Sequence, residues 1–136
     1  MQNAKKAILD TLANSIEVNK MEEIKAISIR QPWVHYIFHC RKDIENRNWK
    51  TSHRGRIFIH AAKKPYGRLL TGCLVGAVDI VDCVSESQSK WFMGKYGFVL
   101  ANPKLLKNPI PLKGQLGIFT LPSDVVQKIY EQGFFE

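Results

Sequence analysis

No apolar run in the 136 residues exceeds a few positions, so no stretch is long enough to cross a bilayer as a helix and no membrane contact is expected. The amino terminus carries Lys5 and Lys6, but Asp10 and Asn14 interrupt the residues after them and no apolar stretch of signal-peptide length is present. Cysteine is scarce. Cys40, Cys73 and Cys83 are odd in number, widely spaced and without a CxxC pair, a pattern that suits neither a disulfide framework nor a zinc ribbon. Reduced thiols in a cytoplasm are therefore expected. The chain also lacks a GxxxxGK[ST] loop, a GxGxxG turn and a GxSxG elbow, which removes the usual NTPase, dinucleotide and hydrolase readings.

Acidic residues are few: 12 Asp and Glu face 20 Lys and Arg, for a formal charge of +8. The excess is concentrated. Residues 41 to 68 hold Arg41, Lys42, Arg47, Lys50, Arg54, Arg56, Lys63, Lys64 and Arg68 against only Asp43 and Glu45. A clustered field of this kind attracts polyanions, whereas a dispersed one mainly aids solubility. With 45% hydrophobic and 24% charged residues the chain has the composition of one folded core with appendages, too apolar for disorder and too short for two domains with separate functions.

Ile8, Leu12 and Ile16 recur every four residues and predict an amphipathic helix over residues 4 to 16, followed by a polar linker over 17 to 23. Lys25 to Ile29 is rich in β-branched residues and reads as a buried strand. Gln31 and Pro32 then open a helix carrying Trp33, Tyr36, Ile37 and Cys40 at helical spacing. Ile44 to Trp49 and Arg56 to Ala61 read as strands joined through Ser52 to Gly55. A short helix over Tyr66 to Leu70 and a long strand over Cys73 to Val84, bent at Gly76, come next. Ser85 to Gly97 reads as a loop or short helix, and Phe98 to Ala101 and Gln115 to Leu121 as strands separated by loops at Pro103, Pro109 and Pro111. Ser123 is placed to cap a last helix that runs through Tyr130 and stops at Gly133. Uneven strands with inserted helices imply an α+β fold with a mixed or barrel-like sheet.

Residues two apart in a strand share a face, so Glu45, Arg47 and Trp49 project together, close to Lys42 at the preceding helix end. A guanidinium fork suits phosphate or a base edge, an ammonium supplies compact charge, and an indole offers a stacking surface. The competing reading is an exposed Glu45–Arg47 ion pair worth about 0 to 1 kcal/mol. The next strand sets Arg56, Phe58 and His60 on one face and Ile57, Ile59 and Ala61 on the other, which is the expected core. The first set suits single-stranded nucleic acid, although a lone aromatic such as Phe58 more often packs beneath a helix. His35 and His39 stand four apart beside Cys40, but the glutamate of HExxH is missing, so no metal site is expected.

Four ordered segments carry a resemblance: Ile27 to Trp33 (ISIRQPW), Lys42 to Trp49 (KDIENRNW), Arg54 to Ala61 (RGRIFIHA) and Lys113 to Phe119 (KGQLGIF). Together they resemble the ASCH family, which is named for a domain of a transcription coactivator and shares a β-barrel with PUA RNA-binding domains. The match covers about residues 21 to 121. The resemblance implies a PUA-like mixed β-barrel with flanking helices, here with an N-terminal helical extension (1–20) and a C-terminal helix (122–136) around the domain at 21–121. It also implies a cleft between the barrel and the helix after the QPW motif, with RNA or other nucleic acid as partner. Lys42, Glu45 and Arg47 match the family's most characteristic polar positions, and Trp33, Trp49, Arg54 and His60 match other motif positions. One departure is Cys40, where the family usually has glycine.

Some relatives are amidohydrolases on acetylated cytidine, using a lysine, a threonine nucleophile and a distal glutamate. Here the threonine position holds Glu45, which cannot replace a hydroxyl in acyl transfer, and Asp79 and Asp82 are the nearest candidates for the distal acid. Other relatives are similar to ribonucleases, for which Lys42, Glu45 or His60 would be the catalytic candidates. The expected function is a noncatalytic nucleic-acid or nucleotide-binding module without cofactor, using Trp33, Lys42, Glu45, Arg47, Trp49, Arg54 and His60; the alternative is a hydrolase acting on RNA or on acylated nucleosides.

Overall fold

The β-branched segment Lys25–Ile29 forms strand β1 and buries Ala26, Ile27 and Ile29, as its composition predicts. It belongs to a computed structural model that describes residues 23–136; the expected helix over 4–16 and most of the linker lie outside the described residues. Helix α1 (Trp33–His39) follows, then β2 (Ile44–Arg47), β3 (Gly55–Ala61), β4 (Cys73–Val84), β5 (Tyr96–Pro111), β6 (Ile118–Thr120) and helix α2 (Ser123–Glu131). The strands form one curled, six-stranded half-barrel in the order β2-β5-β4-β3-β1-β6. Only β1 and β3 run parallel, Ala26 opposite Phe58 and Ile29 opposite Ala61; the other described pairings are antiparallel. The expected α+β class and mixed sheet are what forms.

Alternate residues of the strands feed two cores. Ile27, Ile29, Ile57, Ile59, Ala61, Val78 and Ile80 pack with Val34 and Ile37 of α1. Ala26, Phe58, Leu74, Ala77 and Phe119 pack with Val125, Val126 and Ile129 of α2 and with Phe134 beyond it. Both faces of β3 are therefore covered, and the idea that Phe58 presents a stacking surface fails. It is fully buried beneath the C-terminal helix, 5.1 Å from the Phe134 ring. Arg56 is drawn to the same aromatics, 5.5 Å from Phe134 and 5.2 Å from Phe135.

Several element boundaries differ from expectation. The loops placed at Pro103, Pro109 and Pro111 are part of one 16-residue strand. β2 pairs with β5 only from Tyr96 to Val99, so beyond it β5 has a free edge where a missing N–H breaks no ladder bond. Pairing with β4 also slips at three places, and from Gly76↔Leu105 it jumps to Leu74↔Ile110. Gly76 lies at that irregularity because a Cβ there would sit 2.4 Å from the Lys104 carbonyl oxygen. In the skipped stretch Gln132 bonds the Asn108 backbone twice: its Oε1 accepts from the amide at 2.9 Å and its Nε2 donates to the carbonyl at 3.0 Å.

The expected helix at Tyr66–Leu70 is a turn, closed by the Leu69 amide on the Tyr66 carbonyl at 3.2 Å. The last expected strand is trimmed to Ile118–Thr120 and the strand after α1 to Ile44–Arg47. Ser123 is not a cap: it is the first helical residue, Pro122 occupies the capping position, and no side chain caps the end. Gly133 does end the helix, at φ 73° with its amide on the Tyr130 carbonyl.

Candidate functional site

Helix α1 ends without glycine. Arg41 takes the left-handed conformation (φ 58°), and the Cys40 and Lys42 amides both donate to the Tyr36 carbonyl, at 2.9 and 3.0 Å. That turn sends Lys42 inward. Its Nζ donates to the Ile44 carbonyl, lies 3.7 Å from Glu45 Oε1 and stands 5.9 Å from the centre of the Trp33 ring. Lys42 is 4% exposed, and burial pulls its pKa below the usual lysine range, against the opposing pull of the Glu45 carboxylate.

Strand alternation brings Glu45 and Arg47 to the same place. Glu45 Oε2 accepts from Arg47 Nε at 3.0 Å and lies 2.8 Å from Nη2, which also donates to the Ser28 carbonyl at 2.9 Å. Arg47 thus ties β2, at one end of the sheet order, to β1, near the other. The exposed ion pair considered from sequence is not what forms, because the Glu45 side chain is only 10% exposed and that of Arg47 22%.

From β1 the polar chain continues into β3. Ser28 Oγ lies 2.9 Å from His60 Nδ1, and His60 Nε2 lies 2.6 Å from the Leu112 carbonyl oxygen. A carbonyl only accepts, so Nε2 carries the proton and Nδ1 accepts from the Ser28 hydroxyl. Burial lowers the His60 pKa, opposed by its bond to Leu112. Among the described residues no buried side-chain nitrogen or oxygen lacks a partner. Beside this end of the chain opens a cavity of about 920 Å³ lined by Ser28, His60, Lys63, Lys113, Gly114 and Gln115, with Lys63 and Lys113 both exposed at its margin.

The other end is aromatic. Trp33 is 42% exposed and meets Tyr36 edge-on at 5.7 Å; Tyr36 in turn lies 5.8 Å from Trp91, over which Lys90 Nζ stands at 5.1 Å. Sequence reasoning singled out Trp33 but missed Tyr36 and Trp91 as its partners. The i, i+3 spacing of Trp33 and Tyr36 was the available signal; nothing local marks Trp91.

The structure therefore brings Trp33, Lys42, Glu45, Arg47 and His60 into one connected region. It does not bring in the other two expected members. Trp49 packs edge-on against Phe98 at 5.1 Å as part of the core, so it offers little stacking surface. Arg54 stays in the β2–β3 turn, where Nη1 donates to the Thr51 and His53 carbonyls at 3.0 and 2.9 Å, and Nη2 lies 3.8 Å from Asp82. Asp79 accepts from Asn102 at 2.9 Å and Asp82 from the Cys83 amide at 2.8 Å, so both are engaged away from Lys42. The His35 and His39 rings lie 4.7 Å apart, and among the described residues no group of three potential metal ligands gathers.

Comparison with known proteins agrees with this architecture. Residues 27–118 match the family model of the ASCH domain. The chain is 33% identical over 132 residues to human (Homo sapiens) activating signal cointegrator 1 and 31% identical to the mouse (Mus musculus) protein, with 74% of this chain but 23% of each relative covered. It thus spans about a quarter of the length of these curated relatives. A crystal structure of ASCH from Zymomonas mobilis superposes with a TM-score of 0.57 at 16% identity, covering 80% of this chain and 94% of that one. A crystal structure of a mutant of that same protein gives 0.58, covering 97% of its chain. These structures share the fold: a PUA-like curled sheet with flanking helices.

Proposed function

Because this chain belongs to the ASCH domain family, we propose that it is a nucleic-acid-binding module, with single-stranded RNA its favoured partner. The observation that carries the reading is one connected polar row that runs from an open indole, through a half-buried guanidinium, to a cavity lined by two lysines. Trp33 offers a base a stacking face, and Arg47, held by Glu45 and the Ser28 carbonyl, keeps a partly exposed guanidinium charge between that indole and the cavity. Lys63 and Lys113 at the cavity margin meet phosphate. Lys42 and Glu45 act from beneath: their burial suits them to fixing Arg47 and the Trp33 ring rather than to meeting the backbone of the ligand.

Fluorescence anisotropy with labelled single-stranded and structured RNA, over a series of salt concentrations, tests this. Affinity is expected to fall linearly on a log–log plot as salt rises, with the oligonucleotide recovered intact. Trp33→Ala is expected to weaken binding by about 1–3 kcal/mol while leaving the unfolding midpoint nearly unchanged. Salt-independent binding would reject phosphate recognition by the lysines, and cleavage of the RNA that disappears in Lys42→Ala would reject the noncatalytic reading. Release of acetate from acetylated cytidine, also lost in Lys42→Ala, would reject it in favour of an amidohydrolase.

A further inference from the structure

The proton positions at His60 leave one lone pair free for work. Nε2 is committed to the Leu112 carbonyl, so Nδ1 faces the Ser28 hydroxyl at 2.9 Å as an acceptor. A hydroxyl, a base within hydrogen-bond reach and a third group that fixes the base are the elements of an activated nucleophile. Burial keeps the imidazole below its ordinary range, so it is uncharged at neutral pH and able to take a proton.

Gly114 gives an independent reason to look here. Its φ lies outside the left-handed region, so the backbone does not require glycine; space does. A Cβ on Gly114 would stand 2.4 Å from Ser28 Oγ and 2.9 Å from His60 Nδ1. The missing side chain leaves room beside the hydroxyl of half-buried Ser28, which lines the 920 Å³ cavity, while His60, which also borders it, is 2% exposed. Nothing in the binding reading above uses either the hydroxyl or that gap.

We propose that Ser28 and His60 form an acyl-transfer site that hydrolyses small carboxylic esters. Ser28 Oγ attacks the ester carbonyl carbon as its proton moves to His60 Nδ1, giving a tetrahedral alkoxide. Lys63 and Lys113, which line the same cavity, supply positive charge for that oxyanion. Collapse breaks the bond to the alcohol oxygen, which takes the proton from Nδ1, and leaves an acyl-Ser28. Water then repeats the sequence with His60 as base, releasing the carboxylic acid and restoring the hydroxyl. The orienting group is a neutral carbonyl, not a carboxylate, so the imidazolium is weakly stabilised and turnover is slow.

The test uses the full chain with two probes: p-nitrophenyl acetate, followed by p-nitrophenolate release, and an alkyl fluorophosphonate, followed by intact-mass measurement and peptide mapping. One adduct per chain on Ser28 is expected, with release and labelling slowed about 100-fold or more in Ser28→Ala. The rate is expected to rise with pH through an imidazole titration below the ordinary histidine range. Gly114→Ala, which fills the gap from a different segment, is expected to suppress labelling while circular dichroism shows the native fold. The proposal is overturned if folded wild type takes no adduct, if the label maps elsewhere, if Ser28→Ala reacts at the wild-type rate, or if folded Gly114→Ala labels normally. RNA affinity is read in parallel, so the binding proposal stands or falls separately.

Discussion

The seam beneath α2 and the polar chain from Lys42 to Leu112 are both buried parts of the same small sheet, yet they are held together in opposite ways. Val125, Val126, Ile129 and Phe134 meet Ala26, Phe58, Leu74 and Phe119 by area alone. Such contacts are non-directional, and losing one leaves the rest nearly intact. In the polar chain every bond orients the next: Lys42 beside Glu45, Glu45 on Arg47, Arg47 on the Ser28 carbonyl, the Ser28 hydroxyl on His60, His60 on Leu112. Removing a member there strands a neighbour in a site that water reaches poorly. The apolar seam is built for stability and the polar chain for placing groups, and the two should fail differently.

Glu45→Ala is the sharpest way to expose that difference. It leaves Lys42 and Arg47 as adjacent, poorly solvated cations, and urea unfolding is expected to show a loss of about 3–5 kcal/mol. A loss under about 1 kcal/mol, the range of an exposed pair, would mean that the chain is far wetter than its burial implies. Ile129→Ala, at a fully buried position in the seam, is expected to cost about 2–4 kcal/mol by the same measurement. RNA affinity at a salt concentration where the protein is folded should be unchanged by it; if affinity falls with stability, the two regions are not separable.

Arg41→Gly addresses how Lys42 is aimed. A non-glycine residue at φ 58° carries strain, and glycine there is expected to stabilise the protein by roughly 1 kcal/mol, seen as a raised melting temperature. A decrease would show that the Arg41 side chain makes up for its backbone. The smallest effect expected is graded with pH. The folded-state pKa of His60 is depressed, so as pH falls through the ordinary imidazole range the unfolded chain takes up a proton that the folded chain resists. The stability contributed by neutral His60 is present above that range and is lost as pH falls toward the folded pKa. Melting curves across this interval are expected to lose stability on acidification, with a shallower slope in His60→Gln.

Much of this is readable in the residues themselves, but unevenly. The β-branched run at Lys25–Ile29 and the helix after Pro32 declare themselves because their patterns are local. So does the pairing of Glu45 with Arg47, since a two-residue period alone puts them on one face. Their burial does not, because what covers β2 comes from β1 and from the end of α1. The alternation in β3 is incomplete for a related reason: it separates two faces without saying that both are covered, so it leaves Phe58 open to a stacking role as well as to the commoner berth beneath a helix, which is the one it takes. The prolines of β5 mislead because a missing N–H disrupts a strand only when a neighbour needs it, and strand order is not written in any single segment. Trp91 and Ser28 join the site through partners remote in sequence, and no periodicity reports that.

The side chain of Gln132 has a consequence for how molecules of this protein behave toward one another. A bulged length of strand with a bare amide and carbonyl is an invitation for a foreign backbone to zip onto it, the first step toward ordered aggregates. An amide side chain presents one donor and one acceptor in the same geometry as a peptide group, and Gln132 sets both against Asn108. The end of the C-terminal helix thereby acts as a decoy strand of one residue, and the place where β5 leaves its neighbour is closed to recruits.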